Sequence, residues 1–257
     1  MKLTFPPITA SASAMLMLLL ASPPGLRPAA AEERVLEWEV LDGVKIPSSL
    51  SDNSSTHVPS LGRILLAGGC DAPNGNTFVD ATGFVLDFFI CESISSKLYS
   101  FDPEAGTFET LADLPRPRYR HAAVEAGGKL WLVGGRTVPE DSVIAEIDVY
   151  DLATGAWSTP VSVPDGLLTS DNAAFASPDG ASVYVVGGYN PFYSDPDSLP
   201  TTFSFNVKRA LRGKMEVTTR AGLGTGRGDI HAVTSADGTK AYVTGGFQGM
   251  CQPLQVS

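Results

Sequence analysis

The chain has 257 residues, with 18 Lys and Arg against 28 Asp and Glu, a formal net charge of −10. That balance excludes the nucleic-acid binders that carry a basic stripe. The local basic cluster Lys208, Arg209, Arg212 and Lys214 is diluted by the acidic remainder and reads as a solvated hairpin tip. Length alone does not require two domains, because all-β barrels and propellers of this size commonly form one unit.

Taken in chain order, the first feature is a leader. Lys2, the apolar run Ala14 to Ala21 and the small residues Ala29-Ala30-Ala31 before Glu32 form the charged, apolar, small-residue series of a secretory signal peptide over residues 1–31. Secretion, or retention in the secretory lumen, is expected; an organelle transit peptide is the alternative. The apolar run is about eight residues and a membrane span needs about 20, so no span is expected. Within the remaining 32–257, Trp38-Glu39-Val40-Leu41 parallels Phe108-Glu109-Thr110-Leu111, and 34–41 reads as a closing strand with no partners before it.

Four apolar runs then lead into Gly-Gly pairs, at Gly68-Gly69, Gly134-Gly135, Gly187-Gly188 and Gly245-Gly246, with intervals of 66, 53 and 58 residues. Self-similarity at roughly 40 to 60 residues is the signature of a repeat architecture of sheet units. The second repeat is the clearest: His121 to Val124, a Gly127-Gly128 turn, Leu130 to Val133, Ile147 to Tyr150, a Thr154-Gly155 turn, and Trp157. These are four short strands, here lettered a to d, joined as an antiparallel meander. Such a sheet has two faces to bury, and stacking copies around an axis buries both, which predicts an all-β propeller. The repeats run approximately over 51–115, 116–164, 167–220 and 226–257.

The pattern resembles the kelch-repeat family, of the galactose-oxidase-central-domain-like superfamily. Its marks are the Gly-Gly pair closing strand b, Tyr150-Asp151, and Trp157 seven positions after that Tyr. The first repeat substitutes Phe101-Asp102 and Phe108, and in the third Phe205 has Arg212 seven positions on, so no aromatic strand d is evident. The resemblance implies a kelch-type β-propeller of four-stranded antiparallel blades, with about three and a half blades present. Family propellers usually have six or seven, so a partial propeller is expected; a four-bladed ring lacking one strand, or a ring completed by self-association, are the alternatives. The aromatics specify packing between blades, not a site.

Three cysteines in a secreted chain invite pairing. Cys70 and Cys91 share the connection after the first Gly-Gly pair and are expected to bridge, whereas Cys251 has no evident partner. Asn53-Ser54-Ser55 is a sequon that makes Asn53 a candidate glycosylation site in a glycosylating pathway.

Strand parity places the b–c and d–a connections on one face of the propeller and the a–b and c–d turns on the other. The long, irregular segments 70–97, 136–145 and 189–201 all belong to the first set, and binding loops concentrate where length varies. Counting back from the Gly-Gly pairs puts Ser54, Arg120, Asp171 and Asp229 at the start of each strand a, one polar group per blade around the channel mouth. Asp52, Asn53, Arg118, Tyr119, His121, Asn172, Arg227 and His231 widen that candidate binding ring. Polar strand starts also form wherever Asp or Asn accept local backbone N–H bonds, which is the plainer explanation of any one of them.

The chemistry inventory is thin. A radical-copper oxidase needs two His, two Tyr and a cross-linked Cys, whereas His57, His121 and His231 fall one each in three blades. Ser177-Pro178-Asp179-Gly180 only superficially resembles a sialidase Asp-box turn. Gly222 to Gly226 lacks the strand and helix of a dinucleotide fingerprint. Asp71, Asn74, Asn76, Asp80 and Asp87 do not match a calcium loop in spacing, and Arg227-Gly228-Asp229 follows from strand register as readily as from adhesion. The expectation is a secreted binding protein without cofactor, metal or catalytic residues, engaging a protein or carbohydrate through the long-loop face. The alternative is an enzyme on the same scaffold, of the copper-oxidase or glycan-processing type, with active residues partly beyond residue 257.

Overall fold

The computed structural model describes residues 41–79, 85–138, 142–190, 198–235, 237–248 and 252–253. The leader 1–31 and residues 34–40 of the expected closing strand lie outside them, as do Cys251 and Asp80. The chain divides into Met1–Lys45 and the compact unit Ile46–Ser257. The described strands all lie in the second unit.

Its first sheet is a meander of β1 (Ser54–Val58), β2 (Arg63–Ala67), β5 (Leu98–Asp102) and β6 (Thr107–Thr110). Between β2 and β5 stand β3 (Cys70–Val79) and β4 (Val85–Ile94), paired as a separate two-stranded ladder. The expectation of an irregular 70–97 connection is therefore corrected: the β-prone run from Val85 to Ile90 folds back on the chain before it. The second sheet is β7 (Ala122–Ala126), β8 (Lys129–Val133), β9 (Glu146–Asp151) and β10 (Trp157–Ser162).

The third is β11 (Ala173–Ala176), β12 (Ser182–Val186), β13 (Thr202–Asn206) and β14 (Val217–Arg220). Its strand d exists although no aromatic announces it, because Val217 pairs with Phe205 through the backbone ladder. The basic cluster lies at the c–d connection, where α1 (Val207–Ala210) is capped by the Asn206 side chain accepting from Arg209 N. Exposed Arg209 pairs there with Glu216. The fourth sheet holds β15 (Gly228–Thr234), β16 (Ala241–Gln248) and β17 (Gln252–Pro253), one short strand more than the two expected.

Side chains alternate across a strand, and β8 shows why its sequence is apolar throughout. Leu130 and Leu132 join Val58, Leu65 and Leu98 of the first blade, whereas Trp131 and Val133 join Val183, Phe203 and Phe205 of the third. Both faces are core. The repeat aromatics pack as the family pattern implies: Phe101 on Phe108 at 4.7 Å and Tyr150 on Trp157 at 5.1 Å. Trp157 Nε1 also donates to the Ala112 carbonyl at 2.9 Å, fastening the second blade to the first.

The Gly-Gly pairs are inter-blade clasps. A Cβ on Gly134 would lie 2.3 Å from the Thr169 carbonyl of the next blade, and one on Gly135 would lie 2.6 Å from Cβ of His121 in its own blade. Both residues have positive φ, 72° and 86°, a region open to glycine at little steric cost. The backbone then closes the joint: Gly69 N donates to Arg118 O at 2.9 Å, Gly135 N to Thr169 O at 3.3 Å and Gly188 N to Arg227 O at 2.8 Å. Each blade is thus tied to the next beside the start of strand a, where the site lies.

Candidate functional site

The ladder registers define which residues are equivalent. Ser54 pairs with Ala67, Ala122 with Val133, Ala173 with Val186 and His231 with Thr244, each partner standing just before a Gly-Gly pair. Two residues earlier in each blade stand Asp52, Arg120, Asp171 and Asp229. The first member of the ring is therefore Asp52, not Ser54. The two-residue slip arises because four residues, 59–62, join β1 to β2, whereas Gly127-Gly128 alone joins β7 to β8.

These four are the non-glycine residues with positive φ among those described, at 50°, 56°, 56° and 56°. Asp adopts this left-handed region more readily than most residues, and Arg rarely. The reason for the conformation is a backbone chain around the mouth. Arg120 N donates to Asp52 O at 2.9 Å, Asp171 N to Arg120 O at 2.7 Å and Asp229 N to Asp171 O at 3.0 Å. Strain at Arg120, Asp171 and Asp229 is offset by a hydrogen bond to the preceding blade, and the Asp52 carbonyl accepts the first of these bonds.

They line an open basin of about 370 Å³ whose wall is built from four consecutive residues of each blade: 52–55, 120–123, 171–174 and 229–232. The structure so brings together Asp52, Asn53, Arg120, His121, Asp171, Asn172, Asp229 and His231. Arg120 Nε stands 3.7 Å from Asp52 and 3.5 Å from Asp171, and its guanidinium lies 5.4 Å over the Tyr119 ring. Asp171 accepts from the Ser170 hydroxyl at 2.7 Å, and Asp229 from the Tyr189 hydroxyl at 3.1 Å. Burial pushes the Asp171 carboxyl up to about 7; the Arg120 charge opposes the rise and the neighbouring Asp229 carboxyl adds to it.

His121 is a fully enclosed wall residue. Its Nε2 is 2.8 Å from the Ser54 hydroxyl of the preceding blade. Burial, with the Arg118 charge adding, pushes its pKa down to about 3, so the ring is neutral at physiological pH. Asn172 holds the equivalent place one blade on, where Ala122 replaces Ser54, and neither atom of its amide has a hydrogen-bond partner. Asn53 Nδ2 donates to Ser54 O at 3.3 Å, which places the sequon side chain inside the basin wall.

Three candidate side chains are placed elsewhere, and the first, Tyr119, is buried beside Cys70 and Cys91. Arg118 is fully buried in the second blade, donating to the carbonyls of Gly134 at 3.0 Å and Glu146 at 3.3 Å and pairing with the Asp148 carboxylate. Burial lowers its pKa to about 10, still charged. Asp148 also accepts from Arg116 at 3.3 Å and Thr159 at 2.5 Å. Arg227 is half-buried outside the basin wall, its Nη1 3.5 Å from Gly245 O. Arg118 and Arg227 serve the clasps through their carbonyls.

Sequence reasoning passed over Arg136, which is buried and donates to Ser170 Oγ at 2.8 Å and Asn190 O at 3.2 Å, bracing the loop that carries Asp171. Its signal was position: Cys70, Arg136 and Tyr189 each follow a Gly-Gly pair and bridge back to Ser51, Tyr119 and Ser170. Cys70 and Cys91 are bridged, with Cα atoms 5.7 Å apart. Ser177 to Gly180 forms an a–b turn, with Ser177 Oγ donating to Asp179 at 2.6 Å, repeated by Ser235 and Asp237 at 2.6 Å. Among the described residues no group of three or more His, Cys, Asp or Glu could hold a metal ion, and no helix is long and apolar enough to cross a membrane.

Residues 117–163, the second blade, match the Kelch motif. The chain is similar to an F-box/kelch-repeat protein of Arabidopsis thaliana, 28% identical over 162 residues that cover 60% of this chain and 38% of that protein. It is similar to Kelch-like protein 38 of Homo sapiens, 32% identical over 75 residues that cover 28% of this chain and 13% of that protein. It is also similar to N-(sulfonatooxy)prop-2-enimidothioate sulfolyase of Thlaspi arvense, 30% identical over 139 residues that cover 52% of this chain and 36% of that protein. The chain thus spans well under half the length of these relatives. The matches support a kelch-repeat family, and the four-stranded antiparallel sheets are kelch-type propeller blades.

Proposed function

We propose that the chain is a secreted kelch-repeat binding protein that captures a protein or glycan ligand in the basin at the long-loop face, without chemistry of its own. The carrying observation is the convergence of four equivalent strand starts on one open basin, each held by a hydrogen bond to its neighbour. Rigid strand ends presenting polar side chains to a concavity are the usual setting of a binding site. A protein ligand is favoured over a glycan, because kelch repeats generally mediate protein interactions. The leader series and the Cys70–Cys91 bridge support an oxidising compartment.

Asp52, Asp229 and His231 are the ring positions to test, since the buried Asp171 also holds Ser170 and Arg120 in place. Immobilised wild-type chain and the triple variant Asp52→Asn, Asp229→Asn, His231→Ala are exposed to the extracellular proteins of the source organism. Each captured protein is then purified and its binding remeasured. Loss of binding with little change in Tm is expected. Undiminished binding by the triple variant sinks the assignment of the basin.

A further inference from the structure

Around the mouth the four equivalent positions read Asp52, Arg120, Asp171 and Asp229. The first two steps each set a carboxylate against a guanidinium, with Arg120 Nε 3.7 Å from Asp52 and 3.5 Å from Asp171. The third step breaks the alternation and sets one carboxyl beside another. Ser170 and Tyr189 hold these two in place by hydroxyl bonds of 2.7 and 3.1 Å. Like charges at such a step repel unless a proton or a cation stands between them.

A second observation lies beside the first. Asn172, next to Asp171 on the basin wall, is 5% exposed, and its amide oxygen and nitrogen both lack a partner. A buried amide left unpaired costs about 1–3 kcal/mol, so the wall holds an unmet donor and an unmet acceptor next to two neighbouring carboxyls, of which Asp171 faces Arg120 on its other side.

We propose that the Asp171–Asp229 step of the mouth receives an organic cation, the ammonium or guanidinium group of a lysine or arginine side chain on a protein partner. This rests on the basin being the ligand site. Arg120 shows the arrangement within the molecule: one guanidinium lying between two ring carboxylates. A ligand cation between Asp171 and Asp229 repeats it one blade further on. The basin, at about 370 Å³, falls within the roughly 300–1,000 Å³ of ligand clefts. The raised Asp171 carboxyl is consistent with a group that holds a proton until a cation replaces it.

The test uses the full isotope-labelled chain and peptides Ac-Gly-Gly-Xaa-Gly-Gly-NH2, with Xaa Lys, Arg, Glu or Ser, followed by amide chemical-shift changes. The Lys and Arg peptides are expected to shift residues 171–174 and 229–232. Asp229→Asn is expected to weaken them about tenfold, one close charge contact being worth about 1.4 kcal/mol. Glu104→Gln, on an exposed c–d turn, is expected to leave them unchanged. Asp229 is exposed and its Asn variant isosteric, and circular dichroism of the variant checks its fold. Equal shifts from the Glu or Ser peptides overturn the cation and leave the basin as a site. Undiminished Lys binding by Asp229→Asn overturns it as well. Absence of basin shifts with every peptide overturns it too, and the capture experiment then shows separately whether the basin binds a partner at all.

Discussion

The backbone N–H of Asp171 donates to the carbonyl of Arg120 at 2.7 Å across the joint between the second and third blades. Both residues sit at a φ of 56°, so the conformation that aims their side chains into the basin is the one that makes the inter-blade bond. Site geometry and blade packing are one feature, and substitutions there act on both unless they spare the backbone.

The clasps are expected to tolerate no side chain. Gly134→Ala puts a methyl 2.3 Å from the Thr169 carbonyl at a φ of 72°, and backbone strain with the clash is expected to cost more than about 2 kcal/mol. Gly128→Ala has a similar φ of 74° but nothing within 4 Å, so it pays the left-handed strain alone, about 1 kcal/mol. Denaturant midpoints of the two variants measure the difference; equal midpoints refute the clasp.

Breaking the buried ion pair of the second blade is expected to be severe. Asp148→Ala leaves the fully buried Arg118 guanidinium without its carboxylate, a change expected to cost about 3–5 kcal/mol. The double variant Arg118→Met, Asp148→Leu removes both charges and is expected to recover much of that loss. Urea unfolding of both variants checks the order.

Two wall residues give stability opposite slopes with pH. Asp171, raised from 3.8 to about 7, contributes stability fully present below pH 4 and lost as pH rises through 7. His121, lowered from 6.5 to about 3, contributes stability present above pH 6.5 and lost as pH falls toward 3. Between pH 4 and 6.5 the two oppose each other. Asp171→Asn is expected to make stability rise more steeply with pH across that window, and His121→Gln to make it fall. Urea unfolding at pH 4.5 and 6.5 reads the slopes, and parallel slopes in all three proteins refute the assignment.

The bridge at the base of the β3–β4 hairpin closes a separation of 21 residues. Its removal by Cys70→Ala, Cys91→Ala is expected to cost about 3 kcal/mol by the chain-entropy estimate. Thiol titration of the unfolded, unreduced chain is expected to find Cys251 alone reactive, and three reactive thiols would refute the bridge.

The repeat was legible in residue order because it is written in local chemistry. Gly-Gly pairs after apolar runs, Tyr150 with Trp157, and Phe101 with Phe108 each meet along one sheet, so spacing alone located three blades and the start of a fourth. The polar ring was legible for the same reason, by counting back 14 to 16 residues from each pair. That count slipped by two at Asp52, since turn length is set by the turn and leaves no mark on the strands. Strand d of the third blade was hidden because backbone pairing to Phe205, not an aromatic, defines Val217–Arg220.

Sequence by itself determined the blade and its period, since strands, turns and the alternation of buried side chains depend on neighbours within about 40 to 60 residues. Only the tertiary structure decided which polar residues face the basin. Arg118 and Arg120 are two positions apart and alike in sequence, yet one is locked beneath Asp148 and the other stands between Asp52 and Asp171. The distinction comes from the neighbouring blades, whose carbonyls take the Gly-Gly amides, turn the chain into a left-handed conformation at one residue per blade, and so set which side chain reaches the mouth.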